Sequence, residues 1–290
     1  MIVARRHLLT VLAATPLLAA CSNLATLNRL NALTPGDGGV VRRVDGAAYG
    51  PDPRQKLDVY APEHAPGPLP VIVFVYGGGW NSGDRGGYAF AARALAARGF
   101  VVVVPDYRLV PAVRFPAFVD DAAAAIRWTV DHVAASGGDP TRIAVAGHSA
   151  GAHIALLVTL DRHYLAAAGA PGAIKAAVGL AGPYDFLPFD AQSAIDAFGA
   201  APDKLATQPI HFVRADAPPV LLLTGEADDV VRPRNTAALA AALRRAGAPV
   251  EVKTYPGLGH IGILLALSKP FRGKADVVEA MTRFLHDKLG

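Results

Sequence analysis

The chain has 290 residues, enough for one large domain or two small ones. Hydrophobic residues make up 52% of it and charged residues only 18%, a balance that suits a buried parallel sheet covered on both faces. The formal net charge is +4, and Arg5 and Arg6 supply two of those charges, so the remainder is too small for a nucleic-acid-binding surface.

A separate signal occupies the first 21 residues. Arg5-Arg6-His7 is basic, Leu8 to Ala20 is apolar, and Leu18-Ala19-Ala20-Cys21 matches a lipobox. The apolar stretch is too short to span a bilayer, which needs about 20 such residues. This arrangement resembles that of bacterial lipoproteins. The resemblance implies a signal peptide over residues 1–20 and a lipid on Cys21 that anchors the protein to a membrane of the cell envelope, periplasmic or at the outer surface. The alternative is an ordinary secretory signal with an incidental cysteine.

Residues 21–39 show little periodicity and end in a run rich in glycine, so we expect a tether there and a single domain over residues 40–290. Within that domain, apolar runs alternate with Ala-rich helical stretches. We expect strands near 55–60, 69–76, 100–105, 142–147, 174–181, 219–224 and 250–255. We expect helices near 87–98, 117–135, 151–161, 233–246 and 274–288. Such alternation predicts an α/β domain with a mostly parallel, doubly wound sheet flanked by helices. Residues 183–218 break the rhythm and predict a small cap segment with one short helix.

The first chemical signal is the sequence Tyr76-Gly77-Gly78-Gly79-Trp80, which directly follows the apolar run Val71 to Val75. Glycines let backbone N–H groups turn toward a substrate carbonyl. We expect the N–H groups of Gly77 and Gly78, together with that of Ala150, to form an oxyanion hole.

The second signal is Gly147-His148-Ser149-Ala150-Gly151, which lies between an apolar strand and a helical run. A G-x-S-x-G sequence in this setting is typical of a nucleophile elbow, a strained turn that exposes its serine. We therefore expect Ser149 to be a nucleophile.

A serine hydroxyl needs a histidine to take its proton and a carboxylate to orient that histidine. Asp228 follows the apolar run that ends at Gly225, and His260 follows the alternating run Val250 to Tyr255. Both thus lie past the carboxyl ends of strands, where open α/β sheets place their sites. Asp229 and Glu226 share the loop of Asp228 and stay open as alternatives.

These motifs together resemble the esterase/lipase-type α/β-hydrolases that carry a His-Gly-Gly-Gly-Trp motif, over roughly residues 40–290. Tyr76 replaces the histidine of that motif; the side chain at this position usually braces the loop. The resemblance implies an α/β-hydrolase fold, and its Gly-x-x-Asp-x-x-Val pattern, matched by Gly225, Asp228 and Val231, favours Asp228 as the acid. The supporting stretches are Gln55 to Tyr60, Asp106 to Leu109, Phe115 to Ala117 and Gly137 to Ile143.

The resemblance implies a serine esterase, a carboxylic-ester hydrolase acting on small molecules. The cap segment over residues 183–218 contains many charged residues and is therefore a poor tunnel for a long acyl chain, so we expect small or short-chain acyl substrates. An amide or formamide hydrolase uses the same machinery, and a non-catalytic envelope binding protein on this scaffold is a further alternative. No residue cluster has metal-ligand spacing and no glycine-rich loop has a nucleotide-binding context, so we expect neither metal nor cofactor. The sequence does not indicate an oligomeric state.

Overall fold

A computed structural model describes residues 26–290 of the chain. These residues form an eight-stranded sheet with the strand order β1-β2-β4-β3-β5-β6-β7-β8. The first two strands are antiparallel to their neighbours, and β3 to β8 run parallel. The strands are β1 (Val40–Ala48), β2 (Lys56–Pro62), β3 (Leu69–Val75), β4 (Val101–Pro105), β5 (Gly138–His148), β6 (Ile174–Leu180), β7 (Val220–Gly225) and β8 (Val250–Tyr255).

Helices cover both faces of this sheet in the manner of an α/β-hydrolase fold, which confirms the predicted fold class. The helices are α1 (26–33), α2 (Ala89–Ala96), α3 (Ala117–His132), α4 (Ala150–Leu160), α5 (Arg162–Ala167), α6 (Gln192–Phe198), α7 (Arg234–Ala246), α8 (His260–Leu265) and α9 (Val277–Leu289). Within residues 26–290, none of these helices has both the length and the apolar character needed to cross a membrane.

The core lies on the central strands and on α4. Every residue of β4 and of α4 is buried, and β3 is buried from Pro70 onward. Continuous β-branched and aromatic runs such as Val71 to Val75 are typical of parallel strands covered on both faces. Because α4 is surrounded on all sides, the turn that leads into it has a fixed position.

The edge strand β1 was not among the strands predicted from the sequence. Its nine residues include Arg42, Arg43 and Asp45, its burial is partial, and its pairing with β2 shifts register twice. A half-exposed edge strand with such irregularities lacks the strict apolar alternation that identifies strands.

The tether expected for residues 21–39 needs correction over its described part. Residues 26–33 form α1, Leu27 is 5% exposed and Asn31 is 4% exposed, so this segment packs on the domain. Asp37 makes two 2.8 Å contacts with the guanidinium of Arg272. Because this helix covers only residues 26–33, its apolar residues show no clear helical periodicity in the sequence. The signal peptide and Cys21 lie outside the described residues.

Candidate active site

Ser149 occupies the turn between the end of β5 and the start of α4. Its φ of 55° and ψ of −123° lie where residues other than glycine are strained. The Ser149 N–H donates to the Leu180 carbonyl at 2.8 Å, which ties the turn to the neighbouring strand. The strand, turn and helix predicted around this serine are all present.

The glycines on either side of Ser149 are required by close packing. A Cβ atom on Gly147 would overlap the carbonyl group of Gly151. A Cβ atom on Gly151 would overlap the carbonyl oxygens of Val75 and Tyr76. The elbow therefore sits directly against the end of β3, the strand that leads into the glycine turn.

Three predicted site residues are joined by hydrogen bonds. The Ser149 Oγ lies 2.8 Å from Nε2 of His260, and Nδ1 of His260 lies 2.8 Å from Oδ2 of Asp228. His260 is the first residue of α8 and Asp228 lies three residues beyond β7. The other oxygen of Asp228 accepts N–H bonds from Val230 and Val231 at 3.0 and 2.8 Å. These two bonds fix the carboxylate toward His260.

His148 supports the backbone of His260 from below. It is 2% exposed, and its Nε2 lies 3.1 Å from the carbonyl oxygen of His260. Burial, and secondarily the positive charge that His260 can carry, lower the pKa of His148 to about 3. At neutral pH the His148 ring is therefore neutral and donates to that carbonyl, so it does not compete with His260 for a proton.

The structure of the glycine turn after β3 differs from the prediction at one of the expected oxyanion donors, Gly77. The N–H of Gly77 donates to the Tyr88 hydroxyl at 3.2 Å and is therefore already paired. Within residues 26–290, no protein acceptor bonds the N–H of Gly78 or Gly79. Ala150, at the first position of α4, likewise has an N–H without an intrahelical acceptor. The available donors are thus those of Gly78, Gly79 and Ala150.

Tyr76 braces this turn, as its family position implies. Its ring stacks on Tyr107 with centroids 4.7 Å apart, and its hydroxyl accepts a 2.8 Å hydrogen bond from Arg54. Ser82 donates from its hydroxyl to the Gly78 carbonyl at 2.8 Å. Side chains on three segments therefore hold the backbone of the turn.

Ser149 and His260 open into a cavity of about 470 Å³. One part of its wall is apolar, with Leu27, Tyr88, Leu264 and Leu265. The part formed by the cap segment is mixed, with Phe186, Asp190, Ala191, Ser193 and Ala194. The loop after β7 adds Val230, Val231 and Arg232, and the start of α7 adds Arg234 and Asn235.

The aromatic residues of the cap reach the cavity only in part. Of the four phenylalanines that this segment contains, Phe186 is the one that lines the cavity wall. Phe198 is fully buried behind it, with its ring 4.8 Å from the Trp80 ring. Phe198 therefore supports both Trp80 and Phe186 from behind the cavity wall.

Two contributors to the site were missed in the sequence. Tyr88, which pairs with Gly77, lies eleven residues beyond it in a loop, and no local motif marks a hydroxyl partner at that distance. Leu27 lies in the segment expected to be a tether, where a single leucine carries no signal of a pocket wall.

Comparison with known proteins agrees with this geometry. Residues 57–243, more than half of the chain, match the BD-FAE family model. Esterase LipC of Mycobacterium tuberculosis is 36% identical over 234 residues, which are 73% of this chain and 58% of that protein. The probable isoprenylcysteine alpha-carbonyl methylesterase ICMEL1 of Arabidopsis thaliana is 30% identical over 254 residues, 79% of this chain and 52% of that protein. The chain spans about half to three fifths of the length of these curated relatives.

A solved structure extends the comparison over most of the fold. The hyperthermophilic esterase from the archaeon Pyrobaculum calidifontis superposes with a TM-score of 0.76 at 25% identity, covering 94% of this chain and 92% of that one. The expectation of an esterase/lipase-type α/β-hydrolase is confirmed, and the chain belongs to the BD-FAE family.

Proposed function

We propose that this protein is a serine hydrolase that cleaves carboxylic esters of small or short-chain acyl groups through an acyl-enzyme intermediate. The observation that carries the proposal is the hydrogen-bonded series Ser149, His260 and Asp228, which opens into a cavity beside unpaired backbone N–H groups. This is the set of parts that acyl transfer requires.

In the proposed reaction, the Ser149 Oγ attacks the ester carbonyl while Nε2 of His260 takes the serine proton. Asp228 holds Nδ1–H of His260, so that Nε2 is the free base, and its charge stabilises the imidazolium that forms. The carbonyl oxygen becomes an oxyanion that accepts from Ala150 N–H and from the glycine turn.

The leaving alcohol then takes the proton from His260 and departs, which leaves the acyl group on Ser149. Water attacks the acyl carbonyl as His260 accepts its proton. The acid is released, and the proton returns from His260 to the Ser149 oxygen. In each step of this cycle, His260 is the protein group that accepts or returns the proton.

The walls of the cavity support a small substrate. Asp190, Arg232 and Arg234 line its solvent-exposed part. A long acyl chain laid along such a wall would desolvate these charges, which is costly. Short acyl groups avoid that cost.

Labelling with a fluorophosphonate tests the proposal. The purified protein is expected to be labelled and to hydrolyse p-nitrophenyl acetate, and Ser149→Ala is expected to lose both properties with an unchanged far-UV spectrum. Ser136→Ala, at a serine far from the cavity, is the matched control and should keep both. Failure of the folded wild-type protein to be labelled would overturn the proposed mechanism.

We also propose that Cys21 carries a lipid that anchors the mature protein to a membrane of the bacterial cell envelope. The support is the sequence alone: a basic start, a short apolar stretch and a lipobox. Mass spectrometry of detergent-extracted protein should find a modified N-terminal cysteine, and Cys21→Ala should release soluble protein. An unmodified N-terminus at another residue would contradict the proposal.

A further inference from the structure

Helix α1 forms part of the wall of the active-site cavity. Leu27, in its first turn, is 5% exposed and lines the same cavity as Ser149 and His260. It belongs to the apolar part of that wall, together with Leu264 and Leu265 of the helix that starts at His260. The segment expected to be a tether therefore borders the active-site cavity.

Asn28 fixes one side of α1 to the loop before α2. Its side-chain amide donates to the carbonyl oxygens of Gly86 and Gly87 at 2.9 and 3.0 Å. Its side-chain oxygen accepts from the N–H of Phe90 at 3.1 Å, at a position where α2 has no intrahelical acceptor. Three bonds from one side chain give α1 a defined place beside Tyr88.

Asn31 fixes the other side of α1 to the segment after α8. Its side-chain oxygen accepts from the N–H of Lys269 at 2.8 Å, and the residue is 4% exposed. Because α8 begins with His260, α1 bridges the loop of Tyr88 and the segment that follows the histidine helix. Leu27 is thus held at a fixed depth in the cavity and has little freedom to withdraw.

We propose that Leu27 is a specificity-determining residue and that α1 is a built part of the substrate pocket. The proposal rests on the proposed esterase function and identifies Leu27 as the side chain that limits the size of the substrate. A single methylene in a hydrophobic pocket changes selectivity by about tenfold or more. A leucine at the wall should therefore exclude a substrate chain that an alanine admits.

The test compares kcat/KM along two ester series, p-nitrophenyl esters with acyl groups of increasing length and acetates with alkyl alcohols of increasing length. In at least one series, Leu27→Ala is expected to raise the ratio of the longer to the shortest ester by about tenfold. Leu27→Phe is expected to lower that ratio. Leu30→Ala is the matched control, because Leu30 is on the same helix but 46% exposed and outside the cavity.

Asn28→Ala tests whether the anchoring of α1 matters for selectivity. With α1 released on one side, the ratio of the longer to the shortest ester should move in the same direction as in Leu27→Ala. Unchanged ratios in both series for both Leu27 variants would overturn the inference. A wild-type protein with no activity on any ester would instead overturn the proposed function, so the two failures are distinguishable.

Discussion

The carboxylate of Asp228 reaches the ring of His260, with Oδ2 and Nδ1 2.8 Å apart, whereas that of its chain neighbour Asp229 does not. Asp228 is 3% exposed and Asp229 is exposed to solvent. The two residues differ by one position in the same loop, so the turn geometry around Val230 and Val231 selects the one that faces the histidine.

We expect Asp228→Asn to lower kcat for p-nitrophenyl acetate on the order of 10⁴-fold, because an amide favours the wrong tautomer of the histidine. Asp229→Asn should change kcat little. Both variants are compared at equal stability by steady-state kinetics. A larger loss in Asp229→Asn would show that the acid has been assigned to the wrong residue.

The pairing of Tyr88 with Gly77 gives a second prediction. Tyr88→Phe removes the acceptor of the Gly77 N–H and leaves a buried donor unpaired, which should cost about 1–3 kcal/mol in the free energy of unfolding. If Gly78 and Gly79 supply the oxyanion donors, the loosened turn should also lower kcat.

Urea unfolding and steady-state kinetics measure both effects of Tyr88→Phe. The expected pattern is a lower unfolding free energy together with a lower kcat. If Gly77 were itself the oxyanion donor, freeing its N–H would leave kcat unchanged or raise it. That outcome would restore the original assignment of Gly77.

The comparison of sequence and structure shows where local patterns are sufficient. Ser149, Asp228 and His260 were identifiable because each follows a strand whose apolar run is continuous or alternating, and the carboxyl ends of parallel strands meet at one edge of a sheet. The fold class followed from the same runs, since buried parallel strands leave a strong compositional signal.

Contacts between distant segments carry no such signal. The hydrogen bond from Gly77 to Tyr88 depends on how a loop folds back, and neither residue type requires it. Leu27 reaches the cavity because Asn28 and Asn31 bond to backbone groups far along the chain. A sequence pattern with a period of two or 3.6 residues indicates which face of an element is buried, but it contains no information about such pairings.

The cavity predicts the dependence of rate on acyl-chain length. The solvent-exposed part of the cavity carries Asp190 of the cap, Arg232, and Arg234 at the start of α7. An acyl chain that extends beyond the apolar wall of Leu27, Leu264 and Leu265 therefore has to pass these charges. We expect kcat/KM for p-nitrophenyl esters to be highest for acyl groups of two to four carbons. The reaction rate should not rise when the substrate concentration passes the solubility limit. A maximum at ten carbons or more would mean that the chain follows another path.

His153 gives the last prediction, on the pH dependence of stability. The residue is fully buried on α4, its Nε2 lies 2.8 Å from the Thr207 carbonyl oxygen, and its ring packs edge-on against Trp80. Burial lowers the pKa of His153 to about 4, partly opposed by the hydrogen bond to Thr207. An unfolded chain binds a proton at this histidine near pH 6.5, whereas the folded protein stays neutral there down to about pH 4. The contribution of the neutral, buried His153 to the free energy of unfolding is therefore fully present above pH 6.5 and is lost as the pH falls toward 4.

Between pH 8 and pH 5 this one histidine should remove about 2 kcal/mol from the free energy of unfolding. His153→Gln keeps an N–H donor for the Thr207 carbonyl but does not titrate. The variant should therefore lose about 2 kcal/mol less than the wild type over that interval, while His148, which is present in both proteins, contributes equally. Urea unfolding at the two pH values measures the difference. Equal losses in both proteins would show that His153 takes up its proton in the folded state as readily as in the unfolded chain.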